Sequence, residues 1–347
     1  MNKQISLLLK TVAFLLLLAA VSHAQMSLQG GRGLLRIQDG GISETGDLYL
    51  SAFGSTFFEK PTGSNSLAKN YHLTLNFTYG LSHFLEIYGR LVPYQDDQSH
   101  IWGPIGDTEL GFKLRVPFGS ERNVRLSLRN YFILPTGVNH NLEYEPYTSG
   151  KFGWSPGATF SLNLEDNFFV PLKLYLNGGY IDRDLGNSIF SARDDQIYLG
   201  VGLKLLIRNT IFFWEYYTEQ FSNRKEKIEF KENYQVSTLG FSFLGPYNLI
   251  LTTAFDISLA KPTERTFFVD KKLADWKIWI GITKYIPLKK MFNEISDRKR
   301  RENELKEELK KQQMIKQKRT EADEELKKMQ EELKKKKKNK DKKNNGQ

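Results

Sequence analysis

Along most of this chain, apolar and polar residues alternate with a period of two. Tyr71, Leu73, Leu75, Phe77 and Tyr79 share one side of a run whose other side is His72, Thr74, Asn76 and Thr78. Leu110, Phe112, Leu114 and Val116 oppose Glu109, Gly111, Lys113 and Arg115 in the same way. Ile197, Leu199, Val201, Leu203 and Leu205 oppose Gln196, Tyr198, Gly200, Gly202 and Lys204. Successive side chains of a strand point to opposite faces, so each run has one apolar and one polar face. Twelve such runs are predicted, near 46–58, 69–80, 84–94, 107–117, 123–134, 156–165, 170–182, 194–206, 210–219, 233–243, 247–257 and 275–286. Each has the length of a tilted strand crossing a bilayer, roughly 9–11 residues. The links alternate between short ones, such as 81–83 and 207–209, and long ones, such as 135–155 and 258–274. Short turns on one rim and long loops on the other are the habit of outer-membrane barrels. The pattern therefore predicts an all-β fold over 46–287, a transmembrane antiparallel β-barrel of about twelve strands. An even count puts both ends on the short-turn, periplasmic side.

Proline distribution agrees with that division, because proline cannot donate to a ladder. Pro61, Pro104, Pro146 and Pro262 fall in long loops, and Pro246 in a tight turn. Pro93, Pro117, Pro135, Pro156, Pro171 and Pro287 are expected at strand ends. A water-soluble sandwich would also satisfy this test. In a sandwich the apolar faces point inward, whereas in a membrane barrel they meet lipid and the polar faces line the lumen.

The first 24 residues support export. Lys3 and Lys10 flank the start of an apolar stretch, Leu7–Leu9 and Val12–Val21, which ends at the small-residue site Ser22-His23-Ala24. This reads as a secretory signal peptide over 1–24. An uncleaved anchor is disfavoured, because the uncharged run is short and ends at a processing site. Residues 25–45, with Gly30, Gly31, Gly33, Gly40 and Gly41, are too glycine-rich for a confident strand. They read as a periplasmic lead-in, the alternative being a segment tucked into the lumen.

Charge is unevenly spread. The net +10 has the look of nucleic-acid binding, but residues 25–289 carry 27 basic and 27 acidic residues, whereas 290–347 carry 21 and 13. The basicity belongs to the tail, so a polyanionic envelope partner fits better than nucleic acid. The tail, 288–347, is rich in Glu, Lys, Gln and Leu, and Glu302-Lys306, Glu307-Lys311 and Glu324-Lys328 are spaced to pair along a helix. It is expected to be a charged, basic helix in the periplasm. Leu305 and Leu309, then Leu326, Met329 and Leu333, give two short stripes without the sustained heptads of a stable coiled coil. With no cysteine in the chain, disulfides and thiol chemistry are absent.

Candidate chemistry lies on the polar faces. Strands three to five turn Glu86, Arg90, Glu109, Lys113, Arg115, Arg125 and Arg129 inward, and later strands add Lys173, Lys204, Glu215 and Lys277. Arg90, Lys113, Arg115, Arg125 and Arg129 are the expected lining of a solute path, and their excess over acids would favour anions. The alternative is an ion-pair network that simply fills the interior. Tyr88, Tyr175, Tyr198 and Trp279 share the inward phase, as an aromatic slide or as filling. Catalysis has little support: His72, His83, His100 and His140 fall in no nucleophile motif, and Asp96-Asp97 with His100, or Asp194-Asp195, read as solvated rim carboxylates. No enzyme activity and no cofactor are expected.

Tyr79-Gly80-Leu81-Ser82-His83-Phe84-Leu85-Glu86-Ile87, Gly106-Asp107-Thr108-Glu109-Leu110-Gly111-Phe112-Lys113 and Leu134-Pro135-Thr136-Gly137 carry a family resemblance. Together they resemble the transporter-like outer-membrane barrels of the MetA-pathway of phenol degradation type, and the related N-terminal barrels of OmpA-type envelope proteins. The resemblance covers about residues 45–165 and implies a channel for small solutes. The chain departs from the OmpA-type barrels in ending on a charged helix where they carry a peptidoglycan-binding domain. Partners expected of such a protein are outer-membrane lipid and lipopolysaccharide, the barrel assembly machinery, and peptidoglycan or a periplasmic protein through the tail. A structural barrel with a plugged lumen and a tethering tail is the competing expectation.

Overall fold

The computed structural model describes residues 25–59, 68–96, 103–117, 123–165, 171–186, 190, 192–224, 229–261 and 273–293, with helical positions at 296, 299, 301 and 306. Residues 1–24, read above as a signal peptide, lie outside them. The strands are β1 (Asp47–Glu59), β2 (Ala68–Gly80), β3 (Leu85–Gln95), β4 (Thr108–Val116), β5 (Val124–Leu134), β6 (Gly153–Asn163), β7 (Leu172–Ile181), β8 (Gln196–Ile207), β9 (Thr210–Phe221), β10 (Tyr234–Leu244), β11 (Leu249–Ser258) and β12 (Trp276–Pro287). Each pairs antiparallel with its chain neighbours, and β1 pairs with β12 from Asp47↔Pro287 to Thr56↔Ile278, so the sheet closes. Closure leaves no unpaired edge, the condition for spanning lipid with strands.

Burial decides between sandwich and barrel. On β2, Tyr71, Leu73 and Leu75 are about 40% exposed (43%, 38% and 41%), while Asn70, His72, Thr74, Asn76 and Thr78 are buried. The same inversion places Leu128, Leu199, Leu239, Leu251 and Ile280 outside, and Glu86, Lys113, Arg129, Glu215 and Asp256 inside. A contiguous apolar belt of this extent is incompatible with water and matches a hydrocarbon slab. Among the described residues, no helix is long and apolar enough to cross a membrane.

Two prolines depart from the expected strand ends. Pro93 lies within β3 at a register shift: Leu73 pairs with Tyr94 but Leu75 with Leu91, so Val92 and Pro93 together oppose Thr74. Such a bulge leaves one residue unpaired and can hold a proline. Pro156 lies inside β6, which begins three residues earlier than the alternation indicated. Its ladder to β5 continues through Asn130↔Pro156. Toward β7 it lapses between Trp154↔Asp182 and Gly157↔Gly179, where proline has no N–H to give.

The larger correction concerns residues 25–46. They do not lead in from outside; they fold inside the barrel as a plug. Met26, Leu28, Leu34, Leu35 and Ile37 are all buried, and Leu28, Leu34, Leu35 and Ile37 pack with Phe53, Tyr175, Phe213, Ala254 and Trp279 of the wall. The segment doubles back on itself through Leu28 N–H to Leu35 O (2.7 Å), Gly33 N–H to Gln25 O (2.8 Å) and Leu34 N–H to Ile37 O (2.7 Å). The turn needs φ of +80° and +78° at Gly30 and Gly31, conformations that glycine adopts freely. The apolar residues drive the segment out of water, and the glycines let so short a chain satisfy its own backbone.

A second compact unit begins at Lys289. Residues 288–293 are helical, as are positions 296, 299, 301 and 306. The expected Glu-Lys pairs and apolar stripes of the tail fall outside the described residues.

Candidate functional site

The site is the lumen together with its plug. On β8, Gly200 and Gly202 take inward positions and form a seat: a Cβ at Gly200 would lie 3.1 Å from Ile37, and one at Gly202 only 2.5 Å from the Leu34 terminal methyl. Glycine here lets the plug approach the wall more closely than a larger side chain would allow.

Polar contacts fix the plug at three levels. Toward the long-loop rim, Arg36 forks onto Asp256, donating through Nη1 at 3.0 Å and through Nη2. Its backbone N–H donates to Glu215 at 3.0 Å, and its guanidinium lies 5.5 Å from the Trp279 ring centroid. Burial, the largest single influence, would lower the Arg36 pKa, but the charge and hydrogen bond of Asp256, together with Tyr234 and Glu215, outweigh it and the pKa rises. At mid-height, Arg129 donates from Nε to the Tyr198 hydroxyl (2.8 Å) and from Nη1 to Gln29 of the plug (3.2 Å). Toward the short-turn rim, fully buried Glu86 and Lys113 pair at 3.0 Å. Glu86 also accepts from the Ser43 N–H (2.7 Å), and Lys113 donates to the Asp39 carbonyl (3.1 Å). Asp39 meets Arg32 at 3.3 Å and accepts from Ser161 (2.7 Å) and the Gly41 N–H (2.8 Å). Its burial would raise its pKa, but Arg32, Arg125 and the Gly41 N–H hold the carboxyl well below the usual range.

Between plug and long loops lies a cavity of about 140 Å3, room for about five waters at about 30 Å3 each. Its charged lining is balanced: Arg36, Arg90, Arg183 and Lys277 against Glu109, Glu145, Glu219 and Asp256. These groups are paired, Arg90 with Glu109 at 2.8 Å, Lys277 with Glu145 at 2.8 Å and Arg183 with Glu219 at 3.2 Å. Tyr131, Tyr217, Tyr234 and Trp279 supply aromatic surface. Glu145, Pro146 and Tyr147 reach in from the β5–β6 loop. Glu145 also meets His72 at 3.1 Å. Burial opposes its ionisation, yet Lys277 and His72 hold its pKa well below the usual range. Burial, then the charge of Asp194, pushes the Tyr147 hydroxyl up to about 12.

Glu86, Arg90, Glu109, Lys113 and Arg129 therefore sit on the inner face within the plug or cavity contacts. Arg115, Arg125, Lys173 and Lys204 share the inward phase nearer the short-turn rim, with Arg125 against Gly41 of the plug. The basic excess thus gathers in β4, β5, β7 and β8 and does not reach the upper cavity. Sequence reasoning missed Arg32, Arg36 and Asp39, which lie in a segment without periodicity, and Asp256 and Glu219, which the alternation of β11 and β9 could have supplied. Of the histidines, His72 is in the lumen, and His140 lies 3.7 Å from Asp107 at the long-loop rim; His100 and Asp97 fall outside the described residues. Asp194 pairs with Arg224 at 3.1 Å, and Asp195 accepts from the Arg183 N–H and the Tyr180 hydroxyl. Among the described residues, no group of three or more His, Cys, Asp or Glu could hold a metal ion.

Solved structures similar to this chain are outer-membrane barrels. An outer-membrane channel from Pseudomonas putida F1 aligns with a TM-score of 0.51 and 12% identity, over 72% of this chain and 98% of that one. The NanC porin gives 0.44 and 11%, covering 68% and 98%. The KdgM porin, solved with disordered oligogalacturonate, gives 0.43 and 8% over the same shares. At such identities the likeness speaks for fold, and the first of the three carries it. No family model and no curated protein matches the chain.

Proposed function

We propose that this protein is an outer-membrane channel for small solutes, closed at rest by its own segment 25–46. In this reading lipid and lipopolysaccharide surround the apolar belt, the barrel assembly machinery inserts it, and the short turns and charged tail face the periplasm. The supporting observation is how the lumen is filled. The plug is a separate segment that packs its apolar residues on Phe53, Phe213 and Trp279. It is also fixed by ion pairs and hydrogen bonds to polar groups of the wall, Glu215, Glu86 and Lys113 among them. Well-packed apolar residues would fill a permanently shut barrel as stably as buried ion pairs do. Polar seating instead leaves a wall that water can wet when the plug departs. The proposed lining of the opened path comprises Arg90, Lys113, Arg115, Arg125 and Arg129. The upper cavity, with equal numbers of opposite charges, suits a small polar solute of either sign or none, and a preference for anions would arise lower down.

A second reading, a structural barrel whose tail tethers the membrane, is favoured by the same filled lumen. Single-channel recording in planar bilayers separates the two, comparing full-length protein with variants lacking residues 25–45 or 290–347. Channel activity predicts rare or small openings in the full chain and steady conductance without the plug. A folded, plug-less barrel that stays silent would overturn the channel reading and leave the structural one.

A further inference from the structure

Below the plug, on the short-turn side, lies a charge arrangement that the upper cavity does not use. Lys173 and Lys204 stand directly opposite each other on β7 and β8, both on the inward face. Directly opposed residues of an antiparallel pair hold their Cβ atoms about 5 Å apart, and like charges so placed repel. Among the described residues, neither ammonium group has a hydrogen bond or an ion pair. Their charged neighbours are Arg32 and Asp39 for both, with Arg125 and Glu165 near Lys173.

Asp39 is a favourable charge near both lysines but forms a direct ion pair with neither. Its carboxylate is already committed to Arg32, Ser161 and the Gly41 N–H. Glu165 is exposed beyond the end of β6. Arg32, Arg125, Lys173 and Lys204 thus surround one carboxylate that is fully engaged. Half-buried cations in such surroundings call for a partner, and convergent ammonium and guanidinium groups make a strong receptor for oxyanions. Of these four cations, Arg32 belongs to the plug and Arg125, Lys173 and Lys204 to the wall.

We propose that Lys173, Lys204 and Arg32 form a binding site for a small multivalent oxyanion of the phosphate class, and that the bound anion ties the plug to the barrel wall. The site does not depend on the protein being a channel.

The test is isothermal titration of the full-length barrel in detergent with inorganic phosphate, at constant ionic strength set by chloride. Saturable phosphate binding is expected, weakened at least tenfold in K173Q/K204Q and in R32Q, and unchanged in K151Q, which alters an exposed lysine of the β5–β6 loop. Glycerol phosphate distinguishes the source: equal binding marks recognition of any terminal phosphate, and binding of inorganic phosphate alone marks an enclosed site for the free ion. Hydrogen exchange of residues 25–46 should slow when phosphate is added. The proposal is overturned if wild-type protein prefers phosphate no more than chloride, a result that needs no variant to fold. It is also overturned if folded K173Q/K204Q binds as tightly as wild type. Either failure leaves the conductance of the plug-less barrel, and hence the channel reading, untouched.

Discussion

Arg36 in the plug and Asp256 on β11 are 220 residues apart in sequence and joined by a two-pronged ion pair deep in the lumen. Asp256 is held in place from the wall as well, accepting from the Thr238 hydroxyl and the Trp279 indole N–H, each at 2.6 Å. Removing the guanidinium leaves Asp256 and Glu215 buried together without a cation, and breaking a buried pair in this way costs about 3–5 kcal/mol. Arg36→Ala is therefore expected to undock the plug while the closed sheet persists. Arg36→Lys should fall between the two, since an ammonium cannot reproduce the fork. Hydrogen exchange across residues 25–46 reads the effect. Unchanged protection in Arg36→Ala would mean that apolar packing alone seats the plug.

That contact also marks where sequence reading ends. The strands were legible because the inside–outside period is enforced at every position: Leu73 against Thr74, Leu199 against Tyr198, Leu251 against Thr252. The lumen phase of Glu86, Lys113, Arg129 and Tyr198 followed from it. The plug follows no period. Its fold rests on contacts such as Arg36 with Asp256 and Gly40 with Ser127, whose partners only closure of the barrel brings near. The two misplaced prolines share this cause, since a bulge at Pro93 and a ladder gap at Pro156 are properties of a strand pair.

Acid should loosen both ends of the plugged lumen. Asp39 and Glu145 are held well below the usual carboxylate range in the folded protein. Each therefore contributes stability that is complete above the unfolded pKa of about 4. That contribution fades as pH falls from there through the folded value. Between neutral pH and about pH 5 little change is expected. Below about pH 4 the opened forms take up protons that Asp39 and Glu145 resist in the closed lumen. The contacts of Asp39 with Arg32 and of Glu145 with Lys277 and His72 therefore stabilise closure progressively less. Conductance recorded from pH 7 to 3 should rise in the acid range, and Asp39→Asn should behave at neutral pH as wild type does in acid. A flat profile down to pH 3 would refute this coupling.

The glycine seat on β8 offers a steric test. At Gly202 a Cβ would crowd only the mobile end of Leu34, with Ile37 and the Trp214 carbonyl at ordinary contact, so Gly202→Ala is expected to shift that methyl and cost less than about 1.5 kcal/mol. Gly202→Phe puts a ring where Leu34 and Ile37 pack, and the plug cannot stay. Electrophoresis without heating should show both variants as compact barrels, with raised conductance in the phenylalanine variant alone. A closed Gly202→Phe barrel would show that the plug can seat without this strand.

The hydroxyl of Tyr198 rests over two glycines of the wall, where a Cβ at Gly157 would lie 1.7 Å and one at Gly179 2.3 Å from its oxygen. That oxygen accepts from Arg129, whose guanidinium carbon lies 4.3 Å from the ring centroid, so four strands, β5 to β8, meet at one contact. Gly157→Ala forces the ring away and breaks the contact, with an overpacking cost of about 1–3 kcal/mol. Tyr198→Phe keeps the ring, removes the acceptor and costs about 1.5–3 kcal/mol, as expected for a hydrogen bond to a charged group. If both act through Arg129, the double variant should lose less than the sum, because neighbouring sites that share a partner do not add. Urea midpoints of the four proteins in detergent measure this. Strict additivity would mean that Gly157 serves only local strand geometry, and that Arg129 is held in the lumen by Gln29 and the plug instead.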